Sequence, residues 1–125
     1  MKRLIASLAL ATVALTAAAC GSSNAAPAVT GSIDPNAVKV AAKDIKFTTT
    51  DVAAPAGAAF QISFDNQDGA PHNVAIVDAS GKEQFKGEIF GGPAVKTYQV
   101  PALPAGTYQL RCDVHPDMKA TLTVN

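Results

Sequence analysis

Four side chains of this sequence have the chemistry of soft or borderline metal ligands once the first 20 residues are set aside: His72, Cys112, His115 and Met118. Three of them fall within Cys112–Met118, whereas His72 lies 40 residues before Cys112. Two imidazoles, a thiolate and a thioether are the donor set of a trigonal copper site with a weak axial methionine. The sequence therefore predicts one copper ion at these four residues.

The thioether separates this predicted site from the common zinc sites. Structural zinc sites use Cys and His in fours, and catalytic zinc sites combine three nitrogen, oxygen or sulfur ligands with one open position. Met118 suits copper, above all Cu(I). Taken singly, a buried Cys or Met is more often a core residue than a ligand, so the prediction depends on the four residues occurring together.

Short β-strands must position these ligands, because no window of a dozen residues keeps the 3.6-residue hydrophobic period of a helix. Apolar residues alternate in Phe60–Phe64 and in Val95–Val100, and turn signals such as Pro104-Ala105-Gly106 separate the apolar runs. About eight strands in roughly 90 residues predict an antiparallel sandwich of two sheets with Greek-key links.

The ligands are expected to meet at one end of that sandwich. Cys112 is predicted to end one strand, and His115 and Met118 are predicted to occupy the loop that follows it. His72 is predicted to begin a strand of the same sheet. A sandwich can bring such strand ends together.

The first 19 residues have the layout of an export signal. A basic start, Lys2-Arg3, precedes an apolar run from Leu4 to Leu15 and then small residues before Cys20. This segment resembles a bacterial lipoprotein signal, whose cleavage leaves a lipidated cysteine, here Cys20, as the new N-terminus. Because Ala17 stands where such signals usually carry Leu, ordinary cleavage after Ala19 is the alternative.

Residues 20–36 are predicted to be the lipidated cysteine and a flexible tether, since Gly21 to Pro35 are small, polar and without a hydrophobic period. The folded domain is expected over residues 37–125. Removing residues 1–19 takes Lys2 and Arg3 from the 10 basic residues, so eight face 10 acidic ones and the net charge becomes −2. The small size of this domain excludes a multidomain enzyme. Its mildly acidic charge indicates that it lacks the basic patch that binds nucleic acid.

The segments PHNV (71–74) and CDVHPDM (112–118) resemble the copper-binding segments of the cupredoxins, the blue copper proteins. They are most similar to those of the amicyanins, with the plastocyanins as wider relatives. Two residues between Cys and His, and two between His and Met, carry the resemblance, which extends over residues 37–125. It implies an all-β, cupredoxin-like Greek-key sandwich that holds one type 1 copper ion.

The resemblance implies a role for each residue around the metal. His72 is the upstream imidazole ligand, Cys112 is the thiolate and His115 is the imidazole at the solvent edge. Met118 is the axial sulfur ligand. The carbonyl of Pro71 is expected to face the copper opposite Met118.

Residues beside the ligands are expected to support or expose the site. Asn73 would tie the two ligand segments together, and a backbone amide there would tune the thiolate. His115 is the expected electron port, and Asp113 and Asp117 would present acidic charge for docking. Because Cys20 serves the lipid and the other cysteine serves the metal, no disulfide is expected.

The function predicted from these residues is electron transfer without enzymatic turnover, in which Cu(II)/Cu(I) cycling shuttles single electrons between redox proteins of the cell envelope. A donor and an acceptor are expected to dock transiently. The domain is expected to be a monomer on the periplasmic or outer face of the envelope, anchored to the membrane by lipid and without a nucleic-acid partner. Two alternatives stay open: an envelope protein that delivers copper to an oxidase, and a metal-free interaction module.

Overall fold

The computed structural model describes residues 24–125, so the predicted signal and Cys20 lie outside the described residues. Within this part the chain forms strands and turns without a helix, and accordingly none of it is a helix long and apolar enough to span a membrane. The strands are β1 (Val38–Lys43), β2 (Lys46–Phe47), β3 (Asp51–Ala54), β4 (Phe60–Asn66), β5 (Pro71–His72), β6 (Ala75–Val77), β7 (Glu83–Lys86), β8 (Phe90–Gly91), β9 (Ala94–Val100), β10 (Gly106–Arg111) and β11 (Lys119–Val124).

Two sheets and a short ribbon make up the fold. One sheet has the order β2-β1-β4-β9, the other has the order β3-β11-β10-β6-β7, and β5 pairs with β8. The pairs β1–β4 and β3–β11 are parallel, and the remaining pairs are antiparallel. The prediction of an all-β sandwich of two sheets is thereby confirmed, although two of the strand pairs are parallel. The described residues form eleven strands rather than about eight because β2, β5 and β8 have two residues each, too few to produce an alternating pattern.

The inward faces of the two sheets form one hydrophobic core. In β4 the alternating residues Phe60, Ile62 and Phe64 are buried, and Leu110 of β10 and Leu122 of β11 are buried on the opposite sheet. Burying each such side chain contributes about 1.5–3 kcal/mol. The core therefore gives the loops at the end of the sandwich a fixed frame.

The strand that carries His72 differs from the prediction. His72 lies in β5, opposite Phe90 of β8, rather than in the sheet that contains β10. The chain then passes through buried Asn73 and Val74 into β6, which does lie beside β10. The Val74 carbonyl accepts a hydrogen bond of 2.9 Å from the Gly87 N–H, which does not belong to a strand pair. Regular strand pairing is therefore interrupted between β5, which carries His72, and β6.

Part of the predicted tether is docked on the domain. The Ala26 N–H donates to the Lys86 carbonyl at 2.7 Å, the Glu88 N–H donates to the Ala26 carbonyl at 3.2 Å, and the Val29 N–H donates to the Thr97 carbonyl at 2.7 Å. The Ala26 side chain packs against the core. A segment that binds through its backbone and small side chains has no hydrophobic period, which is why its composition indicates a tether.

Candidate metal centre

The segment between β10 and β11 is a tight loop that begins with Cys112 and ends with Met118. The Cys112 N–H donates to the Met118 carbonyl at 3.1 Å, and the Met118 N–H donates to the His115 carbonyl at 3.0 Å. These two hydrogen bonds close the loop on itself. Three of the four predicted ligand residues are thereby held in one compact unit that continues directly from a core strand.

The loop brings two of its side chains to the histidine of β5. Cys112 Sγ lies 3.8 Å from His72 Nδ1 and 3.7 Å from His115 Nδ1. The two imidazole ring centroids are 4.7 Å apart, and one donor atom from each of the three residues lies within 4.8 Å of the other two. Side chains from distant parts of the sequence thus converge on a common point.

These separations fit a shared metal ion. Bonds of about 2.3 Å to a thiolate and about 2.0 Å to an imidazole nitrogen, at an angle of about 120°, would place sulfur and nitrogen about 3.7 Å apart. The two observed sulfur–nitrogen distances, 3.8 and 3.7 Å, agree with that value. The donor types, two imidazoles and one thiolate, are those of a trigonal copper site.

Burial distinguishes the residues of the site. His72 is fully buried and Cys112 is 2% exposed, whereas His115 is only partly buried. Met118 is 1% exposed and belongs to the hydrophobic core. The site therefore has an enclosed side, at His72, and a side that reaches the protein surface, at His115.

Asn73 joins the two segments that carry the ligands. Its Oδ1 accepts the backbone N–H of Asp113 at 2.8 Å, and its Nδ2 donates to the Asp113 carboxylate at 2.8 Å and to the Gly87 carbonyl at 3.1 Å. Because Asn73 follows His72 and Asp113 follows Cys112, these bonds set the spacing between imidazole and thiolate. Such support around a metal site orients the ligands.

Asp113 is partly buried, and its charge is paired with two basic side chains. Its carboxylate pairs with Lys86 at 3.1 Å and with Arg111 at 3.2 Å, and its side chain is 17% exposed. Burial alone would raise the pKa of Asp113, but the hydrogen bonds from Asn73 and Lys86 and the nearby positive charges outweigh it and lower the pKa. The expected acidic docking group at Asp113 is corrected by this finding, whereas Asp117 is exposed.

Asp68 supports the buried imidazole and was not predicted from the sequence. Its Oδ2 lies 3.0 Å from His72 Nε2, the ring nitrogen that does not face the thiolate. The backbone N–H groups of Ile45 and Asp44 hold the pKa of the Asp68 carboxyl below its ordinary value. No motif in the sequence signals this contact.

Gly92, the residue after β8, packs against the backbone of Asp68. The Gly92 N–H donates to the Asp68 carbonyl at 3.0 Å, and a Cβ at Gly92 would come within 2.6 Å of that oxygen. Glycine is therefore required for the close approach. Pro71, the residue before His72, is exposed and faces Gly91 across the β5–β8 pair.

Comparison with known proteins agrees with this arrangement. The family model described as "Cupredoxin-like domain" matches residues 5–124. Amicyanin-alpha of Methylorubrum extorquens is 36% identical over an alignment of 117 positions, which covers 91% of this chain and 87% of that protein.

Two solved structures share the fold. Amicyanin from Paracoccus versutus matches with a TM-score of 0.58 and 26% identity, covering 74% of this chain and 85% of the other. Reduced auracyanin from Roseiflexus castenholzii matches with a TM-score of 0.61 and 19% identity, covering 70% of this chain and 94% of the other. The chain therefore belongs to the cupredoxin-like proteins and is amicyanin-like, and its His72, Cys112 and His115 provide a donor set that fits one copper ion.

Proposed function

We propose that this protein is a type 1 copper electron carrier, with His72, Cys112, His115 and Met118 as the ligands. The observation that carries the proposal is the convergence of Cys112 Sγ on two imidazole nitrogens at 3.8 and 3.7 Å. When bound, copper supplies the Cu(II)/Cu(I) couple. The protein supplies a ligand arrangement that changes little between the two oxidation states, so that single electrons are exchanged and no substrate is transformed.

Two sets of hydrogen bonds support this rigidity. Asn73 holds the segment of His72 against that of Cys112 through Asp113. The backbone bonds from Cys112 to Met118 and from Met118 to His115 hold the loop. A change of ligand geometry would have to break these hydrogen bonds inside a packed protein. The ligands are therefore expected to move little when the copper changes oxidation state, which favours fast electron transfer.

Met118 would complete the proposed donor set with its thioether sulfur. Its side chain is buried, and its backbone is bonded to both loop ligands, which supports a place beside the metal. The carbonyl of Pro71, the residue that directly precedes His72, would be a further weak oxygen donor. Met and a backbone oxygen are both weak axial donors to copper.

Electrons are proposed to enter and leave through His115. It is the least buried of the four ligands, and its neighbour Val114 is 38% exposed. Asp117 is the exposed acidic residue of this loop, which suits a redox partner with a basic rim. With Asp113 paired internally, the docking charge is smaller than the sequence suggests, and the interface is proposed to be small and transient.

The protein is proposed to act outside the cytoplasm as an exported monomer. The basic and apolar pattern of residues 1–19 supports export, and Cys20 supports anchoring by lipid. Two acyl chains on Cys20 would give stable membrane attachment. These proposals rest on residues outside the described part of the chain.

Visible absorption of the copper-loaded protein tests the proposed function. In a Cys20→Ser background, Cu(II) should produce an intense blue charge-transfer band that disappears on reduction and is absent in Cys112→Ser. Asp117→Asn, the matched control in the same loop, should keep the band. A colourless protein that binds only Cu(I) would support copper delivery instead, and absence of metal binding would support the interaction module.

A further inference from the structure

The turn between β1 and β2 has an unusual backbone. Lys43 pairs with Lys46, so Asp44 and Ile45 form a two-residue hairpin turn, and both have positive φ, 52° and 58°. Such turns normally contain Asn-Gly, because a side chain is strained at positive φ. Ile is among the least suited residues for this conformation, and strained backbone persists where the surrounding structure holds it in place.

Both N–H groups of this turn donate to one carboxylate. The Asp44 N–H donates to Asp68 Oδ1 at 2.9 Å, and the Ile45 N–H donates to Asp68 Oδ2 at 3.1 Å. The Asp68 N–H donates to Asn66 Oδ1 at 2.9 Å, and the Asp68 carbonyl accepts the Gly92 N–H. The side chain and the backbone of Asp68 are therefore both held in place.

The held carboxylate dictates where His72 carries its proton. An ionised carboxylate only accepts hydrogen bonds, so the His72 Nε2 that lies 3.0 Å from Asp68 Oδ2 must carry hydrogen. In a neutral imidazole the other nitrogen then has a free lone pair. That nitrogen, His72 Nδ1, is the atom 3.8 Å from Cys112 Sγ.

We propose that Asp68 is a positioning residue which, held by the Asp44-Ile45 turn, presets His72 as a metal ligand before any metal binds. The proton stays on Nε2, and Nδ1 presents its lone pair toward Cys112. The negative charge of Asp68 also favours Cu(II) over Cu(I) and so lowers the reduction potential. This last effect rests on the proposed function, whereas the proton position does not.

NMR of the His72 ring nitrogens in the copper-free, ¹⁵N-labelled mature protein tests the proton position. In the neutral ring we expect hydrogen on Nε2 and none on Nδ1. In Asp68→Asn one of the two acceptor oxygens becomes an NH₂ donor, so one of the N–H groups that face this side chain loses its acceptor, the preference for Nε2 should weaken, and ring protonation at Nδ1 should appear. A wild-type protein with hydrogen on Nδ1 would overturn the proposal without any variant.

Copper affinity and potential test the consequence for the metal. Asp68→Asn should weaken copper binding about 10- to 100-fold, the usual cost of losing such support, and should raise the reduction potential. Asp44→Asn is the matched control, because it removes one charge from the same turn, keeps the N–H donor and places a residue tolerant of positive φ. Equal effects of the two variants would refute a specific role for Asp68.

The two proposals fail separately. If the wild-type protein gave no blue band while His72 kept its proton on Nε2 and lost this preference in Asp68→Asn, the electron-carrier function would be wrong and the role of Asp68 would stand. If the blue band formed but Asp68→Asn left the proton position, the affinity and the potential unchanged, the role of Asp68 would be wrong.

Discussion

The two imidazoles of the centre are held in different ways. His72 is fully buried, and its ring depends on Asp68, which in turn depends on the turn at residues 44–45, on Asn66 and on Gly92. His115 is partly exposed and belongs to a loop that is closed by two local backbone hydrogen bonds.

This contrast separates two requirements of the proposed carrier. The His72 side combines contacts from several distant segments and provides a fixed reference for the ligands. The His115 side needs only the local loop, which leaves its edge open to a partner. Rigid support and access to the surface are therefore assigned to different histidines.

Removal of each imidazole should give the largest difference between the two sides. His72→Gly and His115→Gly should both abolish the blue band, because each loses one equatorial donor. Free imidazole should restore the band in His115→Gly, where the vacated position opens to solvent, and should fail to do so in His72→Gly. Visible absorption during an imidazole titration measures this, and equal recovery would contradict the assignment of enclosed and open sides.

Gly92→Ala should damage the His72 side through overpacking. The new Cβ would lie 2.6 Å from the Asp68 carbonyl oxygen, and we expect a loss of about 2–3 kcal/mol in the free energy of unfolding. Gly91→Ala is the control, since its Cβ would meet only the Gly69 carbonyl oxygen at 3.6 Å. Urea unfolding compares the two, and similar losses would argue against a tight contact at Gly92.

Asn73→Ala should uncouple the two sides from each other. Three hydrogen bonds to Asp113 and Gly87 would be lost from a fully buried position, at a cost of about 2 kcal/mol. The blue band should also weaken or shift, because His72 and Cys112 lose their common brace. Exposed Asn36→Ala should change the unfolding free energy by less than about 0.5 kcal/mol. An unchanged spectrum in Asn73→Ala would show that the brace does not act on the metal.

Ile45→Asn should have the smallest effect and the opposite sign. Asn tolerates positive φ, so the free energy of unfolding should rise by about 0.5–1 kcal/mol, while the N–H that binds Asp68 is retained. Ile89→Asn is the matched control because Ile89 is 50% exposed, Ile45 is 52% exposed, and Ile89 is not among the positive-φ residues. Thermal unfolding of both variants measures the difference, and a loss of stability in Ile45→Asn would mean that the isoleucine side chain itself is needed.

The grouping of His72, Cys112 and His115 could be predicted because these donor types are rare in this composition and two of the three lie at short spacing. The strands of the core could be predicted because apolar and polar residues alternate, as in Phe60–Phe64. Both signals are local in the sequence. They identify which side chains do the chemistry and which segments hold the core.

The brace at Asn73 is expected from the family resemblance, whereas the contacts of Asp68 and Asp113 could not be predicted because they depend on the tertiary arrangement. Asp68 meets Asp44 and Ile45 across 24 and 23 residues, through a turn that the local preference of Ile opposes. Asp113 lies in a polar loop, which indicates exposure, and its contact with Lys86 exists only once β7 and the ligand loop are neighbours in space. Neither contact can be recognised from the spacing of residues in the sequence.

The docking of Ala26 on β7 limits how far the metal can travel. If Cys20 carries lipid as proposed, the six Cα–Cα steps from Cys20 to Ala26 span at most about 22 Å. This segment ends at Ala26, beside Gly87, whose carbonyl accepts the hydrogen bond from Asn73. The copper end would then move in a shallow layer above the bilayer, where two-dimensional diffusion among proteins of the same membrane governs how often the carrier meets its partners.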